Sequence, residues 1–131
     1  MVGLNGVTAI TAGQYHTCAR KQDATVECWG VNDVGQVGAG VFTPQQWFPA
    51  PVVGLTGATA ISAGGRHSCA VEQNARVVCW GEEFNVQPGD EPNIDWSLPR
   101  PVIGLTSISS ITVGPTHACA VKQNDTVVCW G

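Results

Sequence analysis

One arrangement of residues capable of chemistry, a histidine followed by two cysteines, occurs three times in the chain. It is found in HTCARKQDATVECWG from His16, HSCAVEQNARVVCWG from His67 and HACAVKQNDTVVCWG from His117. Histidine and cysteine together can ligate zinc or form a nucleophilic site, and two cysteines alone can form a disulfide. The strands and turns that hold these residues decide among the three possibilities.

The spacing of the cysteines favours cross-strand pairs. Side chains alternate along a strand, and a turn centred on Asp23 sets Cys18 directly opposite Cys28. Antiparallel strands bring such Cα atoms to about 4.5 Å, within the range of a disulfide. The same reasoning pairs Cys69 with Cys79 and Cys119 with Cys129. We therefore predict three disulfides, each worth about 3 kcal/mol, with free buried thiols as an alternative.

Zinc binding and nucleophilic catalysis are the competing interpretations. Zinc sites usually draw cysteines from tight C-x₂₋₄-C knuckles, and the repeat offers no fourth donor. A nucleophilic cysteine needs a neighbouring base and a partly exposed, electropositive setting, which three equivalent copies inside strands do not suggest. The sequence also has no repeated carboxylate pair, phosphate-binding loop or Ser/His/Asp set. We expect no catalytic residue, no metal and no cofactor.

The repeated unit is longer than these segments and sets the fold class. Residues 3–30, 54–81 and 104–131 align without a gap at offsets of 51 and 50, and loop-rich segments 31–53 and 82–103 join them. A period near 50 residues fits a four-stranded propeller blade. The sequence therefore predicts a single all-β domain over residues 1–131. It is part of a β-propeller, with three four-stranded antiparallel blades that this chain alone does not close.

Short apolar runs and turn residues place the strands within a unit. In the second unit they are predicted at Pro51–Leu55, Ala58–Ala63, His67–Glu72 and Arg76–Gly81. The last two form a hairpin, whose tip holds a residue type that tolerates left-handed backbone. The tip residues in the three units are Asp23, Asn74 and Asn124.

Three motifs resemble the repeat of the regulator of chromosome condensation family. They are the G-x-x-H of Gly13–His16, the C-W-G strand ends, and the run VNDVGQVGAG over Val31–Gly40. The resemblance covers almost the whole chain and implies a β-propeller, in which family members look seven-bladed. The family's namesake also implies guanine-nucleotide exchange on a small GTPase. Intra-blade disulfides are not expected in nuclear and cytosolic relatives.

The other repeated residues are predicted to be structural. A histidine at a strand start, after a glycine turn, can hydrogen-bond the backbone of a neighbouring strand; these are His16, His67 and His117. A tryptophan on the strand face opposite the cysteines can pack between blades; these are Trp29, Trp80 and Trp130.

The joining segments are the better place to seek a partner surface, because binding residues concentrate in loops. Trp47 and Phe48 lie in the first segment, and Asp95 and Trp96 lie in the second. Aromatic side chains among prolines are typical of interaction surfaces. These four residues are the candidate partner-binding residues, and packing over a blade edge is the alternative.

Charge and hydropathy exclude several classes of partner. Six basic residues against ten acidic ones give a net charge of −4 with no basic run, so we expect no nucleic acid. No apolar stretch approaches the roughly 18 residues that cross a bilayer, so we expect no membrane insertion. Disulfides require an oxidising location: periplasm, cell surface or extracellular medium. Because its start lacks a signal peptide, the sequence is expected to be either the mature portion of an exported protein or a piece of a longer exported chain.

The leading functional prediction is a non-enzymatic extracellular β-propeller module that acts as a scaffold or protein-interaction surface. Flat apolar blade faces predict association with the missing blades of a larger propeller or with further copies of the chain. The alternative is a loop-mediated inhibitor or ligand-binding propeller, similar to propeller-type β-lactamase inhibitors. The exchange factor implied by the resemblance is the third hypothesis.

Overall fold

The computed structural model describes residues 4–55, 57–82, 97–102 and 104–131. These residues form strands and turns without any helix, and the strands assemble into three antiparallel sheets. The all-β prediction and the three stacked blade units are confirmed. Within the described ranges there is consequently no helix of the length and apolarity needed to span a bilayer.

Each sheet follows the order of the chain. The first comprises β1 Val7–Ala12, β2 His16–Lys21, β3 Val26–Val31 and β4 Gln45–Pro51. The second comprises β5 Ala58–Gly64, β6 His67–Glu72, β7 Val77–Gly81 and β8 Arg100–Pro101. The third comprises β9 Ile108–Val113, β10 Ala118–Lys122 and β11 Val127–Trp130.

The predicted strand at Pro51–Leu55 is wrong. Strand β4 ends at Pro51 and pairs with β3, so it forms the outer edge of the first sheet. The residues after it connect that edge to β5, the first strand of the second sheet, which we call its inner strand. This connection contains a turn with φ +76° at Gly54. Their apolar character reflects burial, because Val52 and Leu55 pack into the core between the two sheets.

The hairpin tips differ from the prediction by one residue. The left-handed residues are Ala24, Ala75 and Asp125, with φ values of 67°, 64° and 66°. The predicted residue just before each of them contributes its side chain instead, accepting the backbone N–H two positions later at 3.1 Å. This side-chain turn explains why aspartate or asparagine stands there in each unit.

The inner strands of successive sheets are joined by hydroxyl groups. Thr11 of β1 accepts the backbone N–H of Ala63 at 3.0 Å. One unit later, Ser62 of β5 accepts the N–H of Val113, also at 3.0 Å. Because these contacts use equivalent positions, they repeat one docking geometry between blades.

The hairpin tips provide a second repeated link between sheets. The carbonyl of Ala24 accepts the N–H of Ala58, the first residue of β5, at 3.0 Å. The carbonyl of Ala75 accepts the N–H of Ile108, the first residue of β9, at 2.9 Å. Each left-handed tip residue therefore directs its carbonyl towards the following sheet.

Two apolar cores fill the spaces between the sheets. Cys18 and Trp80 share the core between the first and second sheets. Cys69 and Trp130 share the core between the second and third. The cysteine side of each sheet therefore packs against the tryptophan side of the next, and this directional stacking determines what the two outermost sheet faces present.

A buried asparagine organises the turn after β3. The Nδ2 of Asn32 donates to the carbonyl of Val41 at 3.0 Å and to the hydroxyl of Thr43 at 2.9 Å. Its Oδ1 accepts the N–H of Val37 at 3.1 Å. The turn then packs closely on the second sheet: a Cβ added to Gly38 would lie 2.7 Å from Nε1 of Trp80.

We expect Asn32→Ala to lower the free energy of unfolding by about 3 kcal/mol, because it leaves one buried N–H and two part-buried acceptors without their partner. Urea denaturation followed by tryptophan fluorescence measures the change. Asn74→Ala, which removes a single exposed contact, is the matched control and should cost less than about 1 kcal/mol. Equal losses in the two variants would contradict the role given to Asn32.

Candidate functional site

The six cysteines lie as three cross-strand pairs at disulfide distance. Cys18 is opposite Cys28 with a Cα–Cα distance of 4.1 Å. The pair Cys69–Cys79 has the same separation, and Cys119–Cys129 has 4.0 Å. The pairs differ in their surroundings, because the first is buried between sheets whereas Cys129 is exposed on the last sheet.

His16 connects the first sheet to the second. Its Nε2 lies 2.7 Å from the hydroxyl of Ser68, and that hydroxyl donates to the carbonyl of Gln36 at 3.1 Å. The ring nitrogen is therefore the donor in the first contact. Burial lowers the pKa of His16 to about 4, an effect that the backbone of His67 partly offsets. A neutral ring that bridges two blades suits a structural role.

The other two repeated histidines differ from His16 in environment. His67 is buried, and its pKa is lowered to about 4. The larger cause is the loss of hydration, and the smaller is repulsion by the nearby His16. His117 is exposed on the third sheet. Among the residues that the structure describes, no group of three or more His, Cys, Asp or Glu side chains is arranged to hold a metal ion.

The G-x-x-H motif is a tight turn between two strands. The N–H of Gly13 donates to the carbonyl of His16 at 2.9 Å, and Gly114 donates to His117 in the same way at 2.7 Å. The imidazole packs directly against the glycine, since a Cβ at Gly13 would overlap the ring of His16. The glycine is therefore required by the close approach of the histidine.

Residues at equivalent positions differ in exposure according to the place of their sheet in the stack. Val26 and Val77 are 2% and 0% exposed, because a following sheet covers each of them. Val127 holds the same position in the third sheet and is 62% exposed. The covering sheet, not the sequence of the unit, accounts for this difference.

The first sheet shows the same effect on its opposite face. Ile61 and Ile111 each pack against the core of the preceding interface. Ile10, their equivalent in β1, is 66% exposed, and Val7 on the same strand is 41% exposed. Among the described sheets, two apolar faces at opposite ends of the stack are therefore uncovered.

We name these two surfaces by their direction along the chain. The leading face is the tryptophan side of the first sheet and includes Val7, Ile10, Thr17 and Trp29. The trailing face is the cysteine side of the third sheet and includes Thr112, His117, Val127 and Cys129.

The aromatic pair predicted to bind a partner lies on the outer strand of the first sheet. Trp47 and Phe48 are 72% and 63% exposed, so they do not pack over a blade edge. The other two candidates, Asp95 and Trp96, lie outside the described residues. Tyr15 and Phe42 are further exposed aromatic residues that the sequence analysis did not select.

Hydroxyl residues that join the blades were also missed by the sequence analysis. Thr11, Ser62 and Ser68 make these contacts. Thr112 holds the same position of the unit as Thr11 and Ser62, and Thr17 holds that of Ser68. Their recurrence at the repeat spacing was the available signal. A hydroxyl on a strand is common enough that only its contact with the next sheet reveals its role.

The buried histidines predict a loss of stability in mild acid. Their folded pKa of about 4 lies below the unfolded value of 6.5, so the unfolded chain binds protons first as pH falls. The contribution of these histidines to the free energy of unfolding should therefore be fully present above pH 6.5. It should be lost as the pH falls to about 4, by on the order of 3 kcal/mol per histidine. Thermal unfolding across this range measures the loss.

Two variants assign this pH dependence to the buried rings. His16→Gln should reduce the slope, because the titrating group is removed while an amide donor remains for Ser68. His117→Gln replaces the exposed histidine at the equivalent position and is the matched control. Asp23 and Asp33, whose pKa values are lowered by hydrogen bonds from Thr25 and Arg66 respectively, add losses only below their ordinary value of 3.8. A flat profile between pH 6.5 and 4 would contradict the prediction.

Curated relatives share the repeat over part of their length. The chain is 31% identical over 85 residues to the rat probable E3 ubiquitin-protein ligase HERC4, covering 63% of this chain and 8% of the relative. It is 28% identical over 106 residues to Protein RCC1 of Candida albicans, covering 69% and 22%. For the mouse secretion-regulating guanine nucleotide exchange factor, the figures are 32% over 101 residues, covering 64% and 22%. The chain thus spans less than a quarter of these relatives.

Solved structures share the arrangement of the blades. Yeast RCC1 (Prp20), solved bound to Kap60, has a TM-score of 0.78 at 23% identity, with 98% of this chain and 33% of that chain covered. Human WBSCR16 has a TM-score of 0.85 at 20% identity, covering 100% and 34%. At these identities the likeness shows the fold alone. The ectodomain of the Physcomitrella patens receptor kinase CR4 has a TM-score of 0.59 at 26% identity, covering 95% and 29%.

The regulator of chromosome condensation (RCC1) repeat matches each of the three units, over residues 7–36, 58–85 and 108–131. A second form of the same repeat matches residues 25–71, across the junction of the first two sheets. The matched segments include the histidine turns, the cysteine hairpins and the asparagine-centred turn. The chain belongs to the regulator of chromosome condensation (RCC1) repeat family.

Proposed function

We propose that this chain is a non-enzymatic protein-interaction module of an exported β-propeller, which engages further RCC1 blades, copies of itself included, through its leading and trailing faces. The observation that carries this proposal is the exposure of Val127 beside the burial of its equivalents Val26 and Val77. A position that is apolar in all three units and covered in two of them favours a covering surface for the third.

The hydrophobic effect favours covering the two exposed faces. Full burial of a valine or isoleucine side chain is worth about 1.5–3 kcal/mol relative to exposure. The uncovered faces hold Val7, Ile10 and Val127, all more than 40% exposed. A blade packed on each face would gain the stabilisation that the two internal interfaces already have.

The cysteine pairs support an oxidising location. Three pairs at disulfide distance in equivalent hairpins favour a chain that is kept oxidised. The receptor-kinase structure among the similar proteins is an ectodomain, so a related blade arrangement occurs in an extracellular protein. We place the chain at the cell surface, in the periplasm or in the medium.

Thiol titration tests this location. In denaturant without reductant, iodoacetamide should modify none of the six cysteines. With reductant it should modify all of them. Six reactive thiols in freshly isolated, unreduced protein would overturn the oxidised state and with it the proposed compartment.

We also expect the double variant Cys18→Ala/Cys28→Ala to lose up to about 3 kcal/mol of unfolding free energy in oxidised protein, because the loop in the unfolded chain is no longer closed. Urea denaturation with and without reductant measures the change. Reductant should lower the stability of the wild type more than that of the variant. Equal effects would show that this pair is not bonded.

The interaction of the faces is tested by the size of the chain in solution. Wild-type chain should associate across the micromolar range in sedimentation velocity. A variant with arginine on both faces, Ile10→Arg/Val127→Arg, should sediment as a monomer because it cannot bury either face. A wild type that sediments as the same compact monomer as this variant would overturn the proposal.

A second candidate function is recognition of a soluble protein by Trp47 and Phe48, and their exposure of 72% and 63% favours it. Alanine at both positions should abolish capture of such a partner from an extracellular fraction while leaving the association of the chain unchanged. Loss of association instead would place the aromatic pair in the blade-to-blade contacts.

The exchange-factor hypothesis has its support in the name of the mouse relative, and it predicts accelerated nucleotide release from a small GTPase.

A further inference from the structure

The two uncovered faces have complementary hydrogen-bonding groups. Between described sheets, a hairpin-tip carbonyl accepts an inner-strand N–H, and an inner-strand hydroxyl accepts another N–H. On the trailing face, the carbonyl of Asp125 and the hydroxyl of Thr112 hold the two acceptor positions. On the leading face, Val7 and Ala12 hold the two donor positions. Each face therefore carries the half of the interface that the other lacks.

A third contact is available to the trailing face when the next sheet is the first sheet of a second copy. His16 reaches the hydroxyl of Ser68 in the following sheet at 2.7 Å. The third unit has alanine, Ala118, at the position of Ser68. The first unit has Thr17 at that position. His117 on the trailing face would therefore meet a hydroxyl again if the next sheet were the first sheet of another copy.

We propose that the trailing face of one chain docks on the leading face of a second copy, repeating the hydroxyl, tip-carbonyl and histidine contacts between its own first and second sheets. This inference rests on the proposed function and names the partner of the two faces. The new contacts are His117 with Thr17, Thr112 with the N–H of Ala12, and the carbonyl of Asp125 with the N–H of Val7.

The charged pair on the leading face does not oppose this docking. Lys21 and Glu27 belong to the leading side of the first sheet, and Glu27 stands where the other units have Val78 and Val128. The Nζ of Lys21 lies 3.3 Å from Oε2 of Glu27. Because the two charges are already paired, a second copy would cover no net charge at this place.

Head-to-tail docking makes a specific prediction for mixtures. Ile10→Arg disables the leading face, and Val127→Arg disables the trailing face, so neither variant should associate alone. Mixed in equal amounts, each variant supplies the face that the other lacks, and one dimer should form without growing further. Sedimentation velocity or native mass spectrometry of the oxidised full chain resolves these species.

Controls keep this test specific. Phe42→Arg introduces the same charge at an exposed apolar position that belongs to neither named face, and it should associate as the wild type does. Circular dichroism of each variant checks that the sheets are intact. Thr17→Val keeps the shape of the side chain but removes its hydroxyl, and it should weaken association about tenfold.

The outcomes separate this inference from the proposed function. Restoration of a dimer in the mixture supports head-to-tail docking of two copies. If the wild type associates but only one single variant is defective, the contact joins like faces, and the head-to-tail inference is wrong while the interaction module stands. If the wild type is monomeric throughout, both are overturned.

Discussion

The burial of each blade against the next is the constraint on which the rest of this structure depends. A single four-stranded antiparallel sheet has two faces, and in this repeat both are apolar, the cysteine side and the tryptophan side. The described sheets cover these faces in one direction only, cysteine side against tryptophan side. A directional stack of this kind has two unlike ends unless it closes into a ring, and the three described sheets leave both ends uncovered.

The polar contacts between blades act on specificity more than on stability. Hydroxyl-to-backbone bonds and the tip carbonyls fix how far one sheet is displaced along the next, because only one displacement satisfies them together. The bridge from His16 to Ser68 adds a contact that differs between interfaces. Apolar packing therefore provides the attraction between blades, and these few polar groups select the register.

The repeat explains how much of the fold was predictable from the sequence. Cysteine spacing gave the hairpin register correctly because side-chain alternation leaves little freedom once the turn is placed. The strand at Pro51–Leu55 was misplaced because a buried connection and a buried strand have the same apolar pattern. The hairpin tips were shifted by one residue, because an aspartate or asparagine can serve a turn through its side chain as well as through its backbone.

The candidate site was harder to predict, because exposure belongs to the stack rather than to the unit. Val26, Val77 and Val127 are identical in type and position, and only the presence of a following sheet distinguishes them.

The most direct measurement of the central claim is hydroxyl-radical footprinting of Ile10 and Val127 at increasing concentrations of the oxidised chain, with Trp47 as the internal reference. The account predicts that both aliphatic side chains become protected as concentration rises while Trp47 keeps its reactivity. Unchanged reactivity of Ile10 and Val127 over that range would contradict it.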